Sequence, residues 1–319
     1  MIEALPESSF FNPALVSVVT GTALLGLASG ALGSIAVFRR NSLLGDALSH
    51  AAFPGLLAGF CLWGTKSIPA MVGGAALSAA LAQFLVFFLS RGGRVRPDAA
   101  LALVMGVFFG VGMVIQSHLQ QDPGSAQAGL KDYLFGQATL LLEEDLPVLA
   151  TLAGLVLGAL LLCWNRWKIV AFDPAHAASL GINTSFWEVF YAFLLILSVV
   201  IGLQVAGVVL MSAFLVIPGS SARYWTKRLG LAVFLSGATG ATLGVVGSFT
   251  ADALSLPPGP TIVVLGFCWL VASFGLTELW KHRKARTELA GAQSPGTQPT
   301  ETQPIGSLSM GSQSKGGKP

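Results

Sequence analysis

Charged side chains are scarce in this 319-residue sequence: they make up 10% of it, whereas soluble domains average about 25%. Hydrophobic residues account for 53% of the chain, and the mean hydropathy is +0.72. So few charges cannot cover a surface that faces water, which excludes an ordinary soluble enzyme or binding domain. The composition therefore predicts an integral membrane protein.

Cysteine and catalytic motifs are also sparse. The three cysteines lie in different apolar runs without metal-ligand spacing, which argues against disulfides or a structural zinc site. A net charge of +3 gives no reason to expect a nucleic-acid partner. No segment matches GxxxxGK[ST], GxSxG or HExxH, so the chain is not expected to be an enzyme. If ATP drives its activity, another subunit must hydrolyse it.

Apolar runs bounded by charges predict an all-α, polytopic membrane helix bundle of about nine transmembrane helices. Fourteen arginines and lysines follow spans one, three, five, seven and nine, against Lys66 and Lys131 in the other connections. This bias predicts an N-terminus outside and a C-terminus in the cytoplasm. The expected spans are residues 14–38, 47–63, 68–90, 99–118, 147–164, 186–201, 204–220, 230–250 and 260–280.

The chain divides by composition into a membrane domain, residues 1–286, and a tail, residues 287–319. The tail has no aromatic residue and is dominated by Gly, Ser, Pro, Gln and Thr, which predicts a disordered cytoplasmic segment. Within the membrane domain, small residues four apart predict close helix packing, within the chain or between chains. These glycine pairs are Gly26/Gly30, Gly55/Gly59, Gly106/Gly110, Gly154/Gly158 and Gly240/Gly244.

One charged segment leads into the second span, with the sequence GDALSHAAFPG over residues 45–55. Asp46 and His50 are four residues apart, so a helix places a carboxylate and an imidazole on one face, where both could bind one metal ion. The alternative is a capping aspartate with a histidine satisfied nearby. The spacing alone leaves both interpretations open.

A second segment, DPAHAASLGI, lies between spans five and six on the expected cytoplasmic side. An Asp at the N-cap, a Pro at the first helical position and a Gly after the last turn predict a short capped helix. Such a helix is either a docking element for a cytoplasmic partner or a surface helix on the membrane. Its residues are Asp173, Pro174, Ala175, His176, Ala177, Ala178, Ser179, Leu180, Gly181 and Ile182.

Together these segments resemble the membrane permease subunits of bacterial ABC importers for manganese, zinc or iron(II). The likeness covers residues from about 14 to 280 and adds three further segments: YLFG at 133–136, VAGVVLMSAFLVIPGSSAR at 205–223 and PGP at 258–260. The resemblance implies a homodimer in the bacterial inner membrane that binds cytoplasmic ATP-binding cassette subunits and an extracytoplasmic metal-binding protein. It implies that Asp46 and His50 bind the transported ion and that residues 173–182 form the coupling helix. It implies no permanently bound cofactor.

Three alternatives remain open at this point. A stand-alone secondary metal carrier or channel would need ionisable groups in the span centres, where this sequence has few. A non-transporting scaffold would use the capped helix for protein binding alone. An importer of metal chelates such as siderophores or cobalamin gives no reason for a bare Asp/His pair. Carboxylate and imidazole ligands suit manganese, zinc and iron(II), so the residues do not name the ion.

Overall fold

The computed structural model describes residues 13–39, 41–63, 68–91, 93, 95–119 and 146–292, and every regular element in these ranges is a helix. The described ranges contain ten helices, which follow one another along the chain. They are α1 (Pro13–Phe38), α2 (Leu43–Trp63), α3 (Ile68–Ser90), α4 (Pro97–Leu119), α5 (Leu146–Leu162), α6 (Trp164–Phe172), α7 (Pro174–Ser179), α8 (Thr184–Trp225), α9 (Leu229–Ala253) and α10 (Pro258–Ala292).

In the described ranges, seven segments are long and apolar enough to cross a membrane, or eight if the bent pair α5 and α6, which meet at 73°, forms one span. The predicted class, a polytopic helical membrane protein, is therefore confirmed. Helix α2 is not among these segments, and it carries Asp46, Ser49 and His50 in its first turns. The count of nine and the orientation of the termini stay predictions.

Helix α8 folds back on itself at Gly207. That residue has φ 77° and ψ 171°, a backbone conformation that glycine adopts without the steric cost of a side chain. Glu188, early in α8, pairs with Arg39, while Arg223, near the end of α8, donates to the Val37 carbonyl. Both ends of α8 thus reach the same end of α1, so its two arms, Thr184–Leu203 and Ala206–Trp225, are antiparallel.

Helix α1 packs backbone to backbone against α9. A Cβ built on Gly26 would lie 2.3 Å from the Gly240 carbonyl oxygen, and one on Gly244 would lie 2.6 Å from the Thr22 carbonyl oxygen. Ser236 Oγ also donates to the Gly30 carbonyl at 2.6 Å. The glycines of these two pairs therefore permit a close helix contact within the chain, as predicted.

Helices α2 and α3 make a second contact of this kind, since Gly55 and Gly74 face each other's carbonyls at 2.1 and 2.2 Å from the added Cβ. The pairs Gly106/Gly110 and Gly154/Gly158 differ, because a Cβ there would meet no described atom within 4 Å.

The last helix reaches into the predicted tail. Helix α10 extends to Ala292, beyond the predicted start of the tail at residue 287. Residues 293–319 of that tail lie outside the described ranges.

Candidate functional site

Asp46 and His50 occupy the partly exposed stripe of an otherwise buried helical segment. The Leu44 N–H donates to the Asn41 carbonyl at 3.1 Å as α2 begins, and Asp46 lies in the first turn. From residue 44 to residue 57, every residue of α2 except Asp46 and His50 is buried. Packing against α3, α4 and α8 therefore covers the other faces and leaves the two candidate ligands open.

The two side chains face each other across one helical turn. His50 Nε2 lies 3.5 Å from Asp46 Oδ1, and the side chains are 25% and 29% exposed respectively. Two ligands about 2.1 Å from one ion at a tetrahedral angle would lie about 3.4 Å apart. The spacing therefore suits one shared divalent ion with little rearrangement.

A phenylalanine of helix α4 packs against the imidazole. The His50 ring packs edge to face against Phe109 of α4, with 4.9 Å between centroids and 81° between planes. Its Nδ1 atom is buried and has no hydrogen-bond partner among the described residues. The nitrogen with access to an ion in this arrangement is therefore Nε2.

Two features around this turn were not anticipated from the sequence. Phe109 lies in an apolar run where nothing distinguishes it from its neighbours. Pro54 has no N–H to donate to the His50 carbonyl four residues earlier. Next to this interruption, Ser78 of α3 donates to the Ala51 carbonyl at 2.6 Å. The Phe-Pro-Gly sequence after the histidine could have signalled this interruption.

No third ligand lies beside the pair within the part of the chain that the structure describes, which holds no group of three or more His, Cys, Asp or Glu side chains suited to a metal. The other histidines lie on other helices. His118 is exposed in the last turn of α4, His176 is exposed on α7 and His282 is exposed on α10. Among the described residues, the candidate site on one chain therefore consists of these two side chains.

The short capped helix predicted at residues 173–182 is present as α7. Asp173 accepts a hydrogen bond from the His176 N–H at 2.9 Å, and Pro174 is the first helical residue. At the other end, Gly181 has φ 75°, and the Gly181 and Ile182 N–H groups donate to the Ala178 and Ala177 carbonyls, both at 3.0 Å. These two backbone hydrogen bonds form the Schellman motif, which terminates helices at glycine.

One side of helix α7 is buried against the rest of the protein, and its other sides are exposed. Ala177 and Ile182 are buried with Val170 of α6, whereas the remaining residues from 173 to 181 are exposed. Beneath them, Trp167 of α6 is 1% exposed and packs against Trp187, Phe190 and Tyr191 of α8, with ring centroids 5.4 to 5.9 Å apart. The helix is thus held firmly while most of its surface is exposed.

The YLFG segment at 133–136 lies outside the described residues.

Comparison with known proteins identifies relatives along most of the chain. It is 38% identical over 248 residues to the manganese transport system membrane protein MntC of Bacillus subtilis, an alignment that covers 77% of this chain and 57% of that protein. It is 37% identical over 283 residues to the zinc transport system membrane protein TroC of Treponema pallidum, which covers 86% of this chain and 95% of that protein.

Solved structures and family patterns agree with these relatives. The structure of PsaBC from Streptococcus pneumoniae in complex with Fab matches with a TM-score of 0.72 and 25% identity, over 83% of this chain and 92% of that one. The pattern of the ABC 3 transport family matches residues 12–276, which include both α2 and α7. This chain therefore belongs to the ABC 3 transport family.

Proposed function

We propose that this chain is the membrane subunit of an ATP-driven importer that moves a divalent transition-metal ion into the cytoplasm, with Asp46 and His50 as ligands of the ion in transit. The observation that carries the proposal is the open, facing pair of side chains on an otherwise buried segment of α2. Relatives named for manganese and zinc transport support a bare ion over a chelate.

A second copy of the chain would complete the ion site. Two ligands are too few to hold a dehydrated divalent ion, which takes at least four in zinc sites and more in manganese sites. Most oligomers have two-fold symmetry, which would present the same carboxylate and imidazole twice around one axis. Four oxygen and nitrogen ligands without thiolate also suit a site that the ion must leave. The chemistry of the site therefore supports a homodimer.

Helix α7 is the proposed docking element for the ATP-hydrolysing subunit. The capping bonds at both ends and the aromatic cluster beneath it give it the fixed surface that a moving partner requires. The sequence has no P-loop motif, so energy would enter through this contact. The proposed orientation has α7 and the C-terminus in the cytoplasm and the N-terminus outside, with the protein in the bacterial inner membrane.

The remaining assignments follow from this orientation. About nine crossings result if α2 and the bent α5–α6 pair each count as one span beside the seven clear candidates. An extracytoplasmic metal-binding protein would deliver the ion on the side opposite α7. No permanent cofactor is required, since the metal ion is the cargo. The domain assignment is a membrane permease domain over residues 1–286 and a tail over residues 287–319.

Reconstitution tests the proposal directly. The full chain is purified with its ATPase subunit, placed in liposomes, and supplied with the metal-binding protein loaded with Mn²⁺, Zn²⁺ or Fe²⁺. We expect ATP-dependent accumulation of at least one of these ions. Accumulation of a siderophore or cobalamin instead, or ion flux that persists without ATP and the ATPase subunit, would contradict the proposal.

A further inference from the structure

An ion pair joins α8 to the end of α1. Arg39 donates from Nη2 to Glu188 Oε1 at 3.0 Å, with the arginine side chain 15% exposed and the glutamate 46% exposed. Each partner lies close in sequence to one of the two functional segments. Glu188 follows the docking helix α7, and Arg39 precedes the turn of α2 that carries Asp46.

The path from α7 to Glu188 has no flexible linker. Ile182 is buried against Ala177 and Val170, and Asn183 caps α8 by accepting a hydrogen bond from the Phe186 N–H at 3.2 Å. Glu188 lies in the second turn of the helix that begins there. A displacement of α7 would therefore carry Glu188 with it.

The path from Arg39 to the ion site is equally short. Arg39 follows the last residue of α1, and the Asn41 N–H donates back to the Ala36 carbonyl at 2.9 Å. The Leu44 N–H in turn donates to the Asn41 carbonyl at 3.1 Å, which places Asp46 in the turn that follows. A pull on Arg39 would thus act on the turn that holds the metal ligands.

Space for such a movement exists beside the pair. A cavity of about 190 Å³ is lined by Arg39, Glu188, Asn41, Gln83 and Tyr191 among others, and Gln83 Oε1 is buried without a hydrogen-bond partner among the described residues. Close-packed side chains would oppose relative motion of α8 and α2, whereas a cavity permits it. One turn beyond Glu188, buried Tyr191 donates to the Leu32 carbonyl at 3.0 Å and fixes α8 to α1. The first turns of α8 can therefore tilt about this contact.

We propose that the Arg39–Glu188 ion pair is a positioning link that transmits movement of the docking helix α7 to the Asp46–His50 turn. This inference rests on the proposed function. A partly exposed ion pair contributes little to folding stability, so a purely structural role gives a weak reason for the pair. Arg39 and Glu188 do not touch the ion; they set when the ligands hold it and when they release it.

The test compares three variants of the full chain with its ATPase subunit in liposomes: Arg39→Gln, Glu188→Gln and the charge swap Arg39→Glu with Glu188→Arg. ATP hydrolysis and Mn²⁺ or Zn²⁺ uptake are measured in the same vesicles. We expect each single variant to assemble and hydrolyse ATP but to move about tenfold fewer ions per ATP, and the swap to recover most of that ratio.

The control is Glu278→Gln, which breaks the exposed pair of Glu278 with Lys281, 2.6 Å apart, and should leave the ratio unchanged. Single variants with the wild-type ratio, or a swap no better than the single variants, would overturn the link. A wild-type complex that moves no divalent ion would overturn the proposed function and this inference together. If the wild-type complex transports the ion and the single variants move as many ions per ATP as the wild type, this inference alone is overturned.

Discussion

His50 Nε2 lies 3.5 Å from Asp46 Oδ1 across one turn of α2, and no other residue between positions 44 and 57 is open to the surroundings. Ionisable groups within a membrane protein are costly to bury and are retained where they serve a pathway or a partner. The same packing that buries the apolar faces of residues 44–57 leaves these two side chains partly exposed. This selective exposure favours a ligand role over the alternative of a capped helix with a satisfied histidine.

Substitution of either ligand should stop transport. We expect Asp46→Ala and His50→Ala each to lower metal uptake by about a hundredfold or more, because a site that already has few ligands loses one from each copy. The measurement is ion accumulation in vesicles that contain the assembled complex. Asp98→Ala and His282→Ala, which alter exposed residues elsewhere, are the matched controls and should transport normally. Normal uptake by both ligand variants would show that Asp46 and His50 have a structural role and do not bind the ion.

The Schellman motif at the end of α7 provides a second prediction. Gly181→Val forces a β-branched residue into a conformation with φ 75°, which costs about 1 kcal/mol or more. Since a Cβ there meets no described atom within 4 Å, we expect the effect to be confined to the backbone of α7. We expect weaker copurification with the ATPase subunit and lower uptake, with membrane insertion preserved.

Gly93→Val is the matched control for this change. Gly93 also has a positive φ, of 64°, and no described atom lies within 4 Å of its Cβ position, but it lies in the connection between α3 and α4. We expect its complex with the ATPase subunit to form normally. Equal loss of binding in both variants would show that strained connections in general, and not α7 in particular, weaken the assembly.

Helix packing supplies a third prediction. Gly26→Ala places a methyl group 2.3 Å from the Gly240 carbonyl oxygen, so α1 and α9 must separate, and the free energy of unfolding should fall by about 1–3 kcal/mol. Thermal unfolding in detergent measures the change. Gly158→Ala, where the added methyl meets no described atom within 4 Å, should leave the unfolding temperature unchanged. A Gly26→Ala protein as stable as the wild type would contradict the close approach of α1 and α9.

The orientation of the chain can be measured with single cysteines on a background without Cys61, Cys163 and Cys268. We expect a cysteine at Gly181 to react with a membrane-impermeant thiol reagent only from the cytoplasmic side, and one at Ala253 only from the outside. The reason is the bias of arginine and lysine toward one set of connections. Labelling of position 181 from the outside would contradict both the proposed orientation and the proposed docking role of α7.

Short sequence patterns predicted the membrane helices, the capped helix α7 and the shared face of Asp46 and His50. Apolar runs bounded by charges predict the membrane helices because a span must be long, apolar and internally hydrogen-bonded. The Asp-Pro start and Gly end of residues 173–182 predict α7 because capping depends on residues a few positions apart. The spacing of Asp46 and His50 places them on one face for the same reason. Each of these features arises within one or two helical turns.

Other features depended on contacts between distant parts of the chain. The sequence contains five glycine pairs with the same spacing, yet Gly26 and Gly240 meet, while a Cβ on Gly106 or Gly154 would meet no described atom within 4 Å. The spacing shows only that a close approach is possible, and the packing of α1 against α9 decides where one occurs. The hairpin of α8 at Gly207 and the pair of Arg39 with Glu188, 149 positions apart, likewise follow from how whole helices pack.

The sequence by itself therefore determined a helical membrane protein, a short capped helix at residues 173–182 and a carboxylate beside an imidazole, because each follows from composition or from helical periodicity. Only the tertiary structure decided that residues 44–57 of α2 are buried except at Asp46 and His50, that Phe109 packs against the imidazole, and that Arg39 and Glu188 meet. Burial and long-range ion pairs depend on which helices become neighbours. That choice is made by the summed packing of many side chains, which no local pattern encodes.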